Sequence, residues 1–400
     1  MRSPHVVTFT LLLLTFTACE KKASQPSAPS LPVAAATSPS SAGTPSPESG
    51  AILLGEVGSL TGPQATFGIS TRNGVQLALD AANAQGGVKG RKLAVRVYDD
   101  QGKPEEAANA VKRLINQDHV VLILGEVASS NSLAMAETAQ AEHVPMITPS
   151  STNVKVTQKG DYIFRTCFID PFQGFVMAKF GRDNLKLNRV AILKDQKSDY
   201  SQGLADVFGR KFAELGGKVV EVEAYSQGDS DFRAQLTAIK AKSPEAIYVP
   251  GYYTDVGIIA RQARELGLKV PLLGGDGWDS EKLFELGGSA IEGSYFSDHY
   301  SPEDPSAVTQ AFIRDYKKAF GVVPDALAAL GYDAARLAVD AMTRASEPSG
   351  AALRDAIART KSLKGVAGDI TLDENRNAVK PAVVLKVGDH VNKFVTTINP

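Results

Sequence analysis

From residue 51 onward, short apolar runs alternate with longer stretches in which apolar residues recur with a helical period. Residues 52–57 and 93–98 are apolar at most positions, which is typical of parallel strands covered by helices on both faces. In residues 104–116, apolar side chains fall at positions i, i+3, i+4 and i+7, which predicts an amphipathic helix. The alternation of the two patterns predicts an α/β fold with parallel sheets.

The same alternation restarts near residue 170 and breaks down in the last hundred residues. The predicted strands are 52–57, 93–98, 120–124, 145–148, 189–193, 218–224, 246–249 and 270–273, and the predicted helices are 68–83, 104–116, 131–142, 172–184, 201–215, 231–242 and 255–266. The remainder predicts helices at 307–320, 326–344 and 351–360, and strands at 369–372, 382–387 and 391–397. Gly388 and Asp389 are predicted to join the last two strands in an antiparallel hairpin.

Two similar arrays of strands and helices predict two doubly wound lobes, each with a parallel sheet. The carboxyl-terminal block does not form a convincing domain alone, so it is expected to complete both lobes. We therefore predict one lobe from residues 51–168 with 300–365, and the other from residues 169–299 with 366–400. Repeated passage of the chain between lobes predicts a multi-strand hinge with a cleft beside it.

The first fifty residues predict export and a membrane anchor. A weakly basic start and an apolar run over residues 6–16 indicate a signal peptide, 1–18, that is too short to span a membrane. Cys19 follows small residues and resembles the lipidated cysteine of bacterial lipoproteins, although Phe16 replaces the usual leucine. The alternative is an ordinary secretion signal. The Ser, Pro and Ala residues of the 19–50 segment predict a tether, with a cleaved pro-segment as the alternative.

Composition and missing motifs exclude several classes of function. The formal net charge of the 400 residues is −1, without a Lys/Arg cluster, which argues against a nucleic-acid partner. The sequence has no phosphate-binding glycine loop, no metal-ligand spacing and no nucleophile elbow, so we predict no cofactor, no metal and no enzymatic activity. The second cysteine, Cys167, lies in an apolar string and is predicted to be a buried structural thiol.

Four ordered segments resemble the Leu/Ile/Val-type substrate-binding proteins of bacterial ABC transporters, which have the type I periplasmic binding protein, or Venus-flytrap, fold. The segments are 55–62 with 83–90, 98–100 with 104–108, 125–132 with 145–152, and 249–253 with 274–278. Similarity in order and spacing extends from about residue 52 to 389, and the ordered set is more specific than any one motif.

The resemblance implies which residues contact a bound amino acid. Ser129 and Thr152 match hydroxyls that bind the ligand carboxylate, Ser150 matches a residue used through its backbone, and Ser151 lies on the same loop. Each hydroxyl has helix capping as its alternative role. Asp276 occupies the position of the acidic residue that binds the ligand ammonium, although the best-known members have glutamate there.

Aromatic residues complete the implied site. Tyr200 and Tyr252 match rings that close over the ligand from the second lobe, and Phe67 matches a tyrosine of the first lobe. Trp278 lies two residues beyond Asp276. The sequence favours neither ligand contact nor simple packing for this side chain.

The resemblance therefore implies a monomeric, periplasmic, membrane-anchored lipoprotein that binds a branched-chain or related amino acid and delivers it to ABC permease subunits. The alternatives are a ligand-sensing subunit that presents its solute to a membrane receptor, and a binder of an amide or urea-like solute.

Overall fold

The computed structural model describes residues 50–400, so the predictions for the signal peptide, Cys19 and most of the tether lie outside the described residues. Strands and helices alternate as the sequence pattern predicts. The strands are β1 Ile52–Gly58, β2 Leu93–Asp99, β3 Ile123–Leu124, β4 Met146–Thr148, β5 Ile163–Arg165, β6 Arg189–Asp195, β7 Lys218–Tyr225, β8 Ala246–Tyr248, β9 Leu272–Gly274, β10 Tyr295–Asp298, β11 Ala382–Gly388 and β12 Val391–Ile398. The helices are α1 Ala65–Ala84, α2 Pro104–Asn116, α3 Ser129–Ala141, α4 Lys155–Gln158, α5 Asp170–Asp183, α6 Asp199–Glu214, α7 Arg233–Ala241, α8 Tyr253–Glu265, α9 Lys282–Gly287, α10 Ala307–Phe320, α11 Ala326–Arg344 and α12 Gly350–Ala358.

Within residues 50–400 the strands form two sheets, one in each lobe. The first sheet has the order β2-β1-β3-β4-β5, and all of its pairs are parallel. The second has the order β12-β11-β10-β9-β8-β6-β7, with parallel pairs from β7 to β10 and antiparallel pairs at β11 and β12. The prediction of two α/β lobes with parallel sheets is confirmed.

Each face of the first sheet is covered by its own apolar cluster. Alternate residues of β1 serve the two faces, because successive side chains of a strand point in opposite directions. Ile52 and Leu54 pack with α1, α11 and α12, whereas Val57 packs with α2 and α3. This two-sided burial explains the continuous apolar runs in the sequence.

In the described part of the chain, three connections pass between the two sheets. The chain leaves the first sheet after β5, returns after β10 to form α10, α11 and α12, and re-enters the second sheet at β11. Helix α11 packs along α1, so this carboxyl-terminal helix belongs to the first lobe. The residue boundaries predicted for the lobes stay a prediction.

Several helix ends follow from local chemistry. Pro104 stands at the first turn of α2, with Glu105 and Glu106 beside it, as a helix N-terminus favours. The side chains of Ser198, Ser306 and Asp325 accept a backbone hydrogen bond at the starts of α6, α10 and α11.

The structure corrects the sequence prediction at three places. Residues 369–372 form only isolated bridges, because Ile370 and Leu372 pair with single residues of neighbouring loops. Strand β3 is limited to two residues, and β5 and β10 were not predicted because three or four residues give too little periodicity. The final hairpin turns at Asp389 and His390, both with positive φ, rather than at Gly388 and Asp389.

No helix within residues 50–400 combines the length and the hydropathy that a membrane crossing requires.

Candidate functional site

A small cavity lies between the lobes, where loops that follow the strands of both sheets meet. The empty space, including solvent at its mouth, measures about 250 Å³. Its lining residues are Phe67, Val127, Ser129, Ser150, Tyr200, Tyr252, Asp276, Gly277 and Leu327. The structure thus brings together six of the nine residues that the resemblance implied; that they contact a ligand stays a prediction.

Asp276 is held at the cavity by uncharged donors. It opens a short 3-10 turn directly after β9, and its Oδ1 accepts hydrogen bonds from Gln173 at 2.7 Å and Tyr200 at 2.9 Å. The Tyr200 hydroxyl in turn accepts the N–H of Gly277 at 3.2 Å, which fixes both the turn and the ring.

His299 completes the surroundings of Asp276. Its Nε2 lies 3.0 Å from Asp276 Oδ2, and its ring stacks on Phe168 with 3.6 Å between centroids. Burial lowers the pKa of His299, so the neutral ring donates through Nε2–H. Among the described residues, the carboxylate of Asp276 therefore accepts hydrogen bonds from neutral groups. The one basic side chain within salt-bridge distance is that of His299, which burial keeps neutral.

Aromatic rings form the wall next to Asp276. The rings of Tyr200 and Tyr252 stack with 5.3 Å between centroids and 6° between planes. Phe67 of the first lobe meets Tyr252 edge-on at 5.8 Å. Burial raises the pKa of both tyrosines well above the usual value, so they stay neutral. The wall joins residues of both lobes and is apolar apart from its hydroxyl groups.

Two loops of the first lobe face this wall. Ser129 is the first residue of α3, whose N-cap residue Ala128 has no capping side chain, and the side chain of Glu126 accepts the N–H of Ala128. The N–H groups of the first turn that follow Ala128 suit an anion. The Ser129 hydroxyl accepts the N–H of Asn153 at 3.2 Å, and the Ser150 hydroxyl points to Val127 O at 3.5 Å, at the limit of a hydrogen bond. The two loops are thus joined where an anionic group would bind.

The structure does not bring Ser151 and Trp278 to the cavity lining. The fully buried Ser151 hydroxyl lies within hydrogen-bond distance of the backbone oxygens of Glu126 and Val127 and donates its one hydrogen there, so it holds the two loops together. The indole of Trp278, also fully buried, donates to Val249 O at 3.0 Å and packs beneath Gly274. Because the indole is turned towards the sheet, Trp278 packs in the core of the second lobe.

Thr152 lies behind the cavity, at the joint of the lobes. Its hydroxyl is buried without a partner of good geometry among residues 50–400, and it lies beside the carboxyl group of Asp170. Burial raises the pKa of Asp170 to about 7. The loop itself is fixed by Arg165, whose guanidinium donates to the backbone oxygens of Ser151 and Asn153.

Direct hydrogen bonds hold the lobes together around the cavity. Tyr253 of the second lobe donates to Pro63 O at 2.8 Å, and the hydroxyls of Thr66 and Ser280 lie 2.9 Å apart. On the other side, Asn153 donates to Asp199 O at 2.7 Å. The structure therefore represents a closed form.

Comparison with known proteins decides the family. Residues 51–391 match the family model described as periplasmic binding protein. This chain belongs to the periplasmic binding protein family. The family consists of non-enzymatic solute-binding proteins and implies a periplasmic location.

The relatives of this periplasmic binding protein include binders of branched-chain amino acids. The Leu/Ile/Val-binding protein BraC3 of Rhizobium johnstonii is 32% identical over 80% of this chain and 89% of its own length. The leucine-binding protein LivK of Thermotoga maritima is 41% identical, covers 87% of this chain and 99% of its own, and has a TM-score of 0.84. LivJ of Streptococcus pneumoniae, solved in complex with isoleucine, is 32% identical over 88% of this chain and 100% of its own, with a TM-score of 0.83. The resemblance inferred from sequence is confirmed.

The site of this periplasmic binding protein also contains residues that the sequence did not single out. Gln173 and His299 hold Asp276, and Val127 and Leu327 line the cavity. His299 follows β10, one of the two strands that the pattern did not predict, so its place at the end of a strand could not be recognised. The signal for Leu327 was available, because it stands two residues after Asp325, the N-cap of a predicted helix.

Proposed function

We propose that this protein is the substrate-binding protein of an ABC transporter and that it binds a branched-chain amino acid in the cavity between the lobes. The ligand ammonium lies at Asp276, and its carboxylate lies at the loops that carry Ser129, Ser150 and Thr152.

The observation that carries this proposal is the buried carboxylate of Asp276, held by neutral donors only. A buried charge is costly unless an opposite charge pairs with it. A ligand ammonium supplies that charge, and the first turn of α3, which begins at the lining residue Ser129, suits an anion. The carboxylate of Asp276 matches the ammonium of an amino-acid zwitterion, and the N-terminus of α3 matches its carboxylate.

The remaining lining favours an aliphatic side chain. Phe67, Val127 and Leu327 are buried apolar residues, and each methylene buried against them contributes about 0.8 kcal/mol. The Leu/Ile/Val-binding relatives support the same ligand class. An amide or urea-like solute would leave Asp276 without a counter-charge.

Calorimetric titration tests the proposal with a matched set of ligands. L-leucine, L-isoleucine and L-valine should bind, with micromolar affinity corresponding to about −8 kcal/mol. The leucine analogue without the amino group and the analogue without the carboxylate should both bind at least about 100-fold more weakly, because each leaves one charged subsite unpaired. Equal binding of the deaminated analogue, or no binding of any of the three amino acids, would refute the proposal.

We further propose that Cys19 carries a lipid anchor, that residues 19–50 tether the monomer to the membrane, and that the closed form docks on permease subunits. The sequence around Cys19 supports the anchor. Replacement of Cys19 by alanine should release the protein from the membrane fraction, and retention there would exclude this anchor.

A further inference from the structure

The first turns of α3 and α6 meet where the two lobes close on each other. Helix α3 packs on the first sheet, whereas α6 packs in the core of the second lobe. The Ser130 hydroxyl of α3 accepts the N–H of Asp199 of α6 at 3.0 Å and donates to Asp199 Oδ2 at 3.2 Å. Ser130 and Asp199, here called the latch, therefore join the lobes by two reciprocal hydrogen bonds.

The latch satisfies a backbone group of α6 that the helix cannot satisfy itself. The first N–H groups of an α-helix have no partner within the helix. The Ser198 hydroxyl caps α6 through the N–H of Ser201, and the N–H of Asp199 finds its acceptor in Ser130 of the other lobe. Because donor and acceptor lie in different lobes, separation of the lobes breaks this hydrogen bond.

Two further side chains of the first lobe contact Asp199. Asn153 donates to Asp199 O at 2.7 Å, and Lys155 Nζ lies 3.5 Å from Asp199 Oδ1. The ion pair is partly exposed to solvent and contributes little by itself. The hydrogen bonds of Ser130 and Asn153 are therefore the main contacts that hold this residue of the second lobe against the first.

The same two turns carry residues of the candidate ligand site. Ser129 precedes Ser130 and Tyr200 follows Asp199, and both Ser129 and Tyr200 line the cavity. Consecutive residues of a helix point about 100° apart. Each turn thus presents one residue to the cavity and its neighbour to the other lobe, so a ligand that fixes either turn also positions the latch.

Charge connects the ligand to the latch as well. The N-terminal turn of a helix carries partial positive charge, so two such turns approach each other favourably only when negative charge lies between them. The Asp199 carboxylate, at the start of α6 and hydrogen-bonded to Ser130 of α3, supplies one negative charge. A ligand carboxylate at Ser129 would place a second at the first turn of α3.

We propose that Ser130 and Asp199 are positioning residues that couple occupancy of the cavity to closure of the lobes. The ligand carboxylate fixes and neutralises the first turn of α3, and the latch then holds the second lobe in place. The proposal rests on the proposed function for its ligand. Since the latch forms in the closed form, its loss affects release of the ligand more than capture.

Replacement of Ser130 by alanine removes both hydrogen bonds of the latch. S130A should release L-leucine at least about fivefold faster, with an association rate close to that of wild type, as surface plasmon resonance can measure. The matched control is Y98F, because Tyr98 donates to Asp118 Oδ2 at 2.8 Å within the first lobe. Y98F should release L-leucine as wild type does. Equal dissociation rates for S130A and wild type would overturn the latch.

Replacement of Asp199 by asparagine tests the charge. Asparagine retains an oxygen for the Ser130 hydroxyl, and the backbone N–H is unchanged, so the variant removes the negative charge alone. D199N should release L-leucine at least about threefold faster, because two positive helix ends then meet without a negative charge of the protein between them. A wild-type dissociation rate in D199N would overturn the role of the charge.

The coupling to the ligand carboxylate is tested with the leucine analogue that lacks it. By calorimetric titration, S130A should raise the Kd of L-leucine at least about fivefold and that of the analogue less than about twofold, because the analogue does not fix the first turn of α3. An equal fold-change for both ligands would overturn the coupling. Failure of wild type to bind any branched-chain amino acid would instead refute the proposed function.

Discussion

Asp276 concentrates the electrostatic character of the site in one residue. Its oxygens are held by Gln173, Tyr200 and His299, which fix its direction without neutralising it. The stacked rings of Tyr200 and Tyr252 exclude water from the same side. This carboxylate is already oriented and has no counter-charge. Its binding to an ammonium therefore costs little reorganisation free energy, because its partners do not need to rearrange.

Replacement of Asp276 by asparagine preserves its shape and removes its charge. We expect D276N to weaken L-leucine binding about 100-fold, equivalent to roughly 3 kcal/mol, because the ligand ammonium then lacks its counter-charge. Isothermal titration calorimetry measures the change.

The matched control for this change is D255N, since Asp255 is also a buried carboxyl group in the second lobe. D255N should bind L-leucine as wild type does. A D276N affinity within about threefold of wild type would remove Asp276 from the ligand contacts.

At the scale of elements, the sequence predicted the long amphipathic helices well and the shortest strands poorly. Helices α2, α10 and α11 were predicted with the bounds that the structure shows, because each has clear periodicity and a start signal, a first-turn proline in α2 and a capping side chain in α10 and α11. Strands β5 and β10 are too short to show a period, and their partners are set by tertiary contacts. Because β10 was not predicted, His299, which follows it, was not recognised as a site residue.

The candidate site was accessible from sequence mainly through resemblance to a family. Loop positions after strands identified Ser129 and Ser150 at the first sheet and Asp276 at the second, because the parallel strands of each sheet end at the same edge. Side-chain direction was not accessible: Ser151 and Trp278 are neighbours of lining residues, yet they turn into the protein interior. Only packing in three dimensions decides that direction.

Strand β1 carries a buried carboxyl group that should affect the pH dependence of stability. Burial raises the pKa of Glu56 to about 8, and nearby Arg72 lowers it only in part. The folded protein therefore holds a proton that the unfolded chain releases near pH 4.5. The stabilisation is fully present below that pH and is lost as pH rises to about 8.

We expect E56Q to match wild type near pH 4.5 and to exceed its unfolding free energy by up to about 5 kcal/mol near pH 8.5, because glutamine cannot ionise. Urea denaturation at both pH values measures the difference. The same difference between the two proteins at both pH values would contradict the buried protonated Glu56.

At the scale of the whole molecule, the two lobes close through a few hydrogen bonds around a small cavity. Tyr253 contacts Pro63 on one side, and Asn153 contacts Asp199 on the other. Three connections between the sheets, within residues 50–400, leave relative rotation of the lobes as the expected motion. A bound zwitterion adds contacts to both lobes and shifts the population to the closed form.

Removal of one contact between the lobes should act on the lifetime of the complex. We expect Y253F to release L-leucine about fivefold faster, because the loss of roughly 1 kcal/mol affects only the closed form. The association rate should stay close to that of wild type. Surface plasmon resonance measures both rates, and a change confined to association would contradict closure after binding.

The central claim is that an amino-acid zwitterion is bound between the lobes with its ammonium at Asp276. A crystal structure of the protein with L-leucine tests this most directly. We predict the ligand nitrogen within about 3.2 Å of the Asp276 carboxylate and the ligand carboxylate at the loops of Ser129 and Thr152, with the side chain towards Phe67 and Leu327. Leucine in the reverse orientation, or bound outside this cavity, would contradict the account.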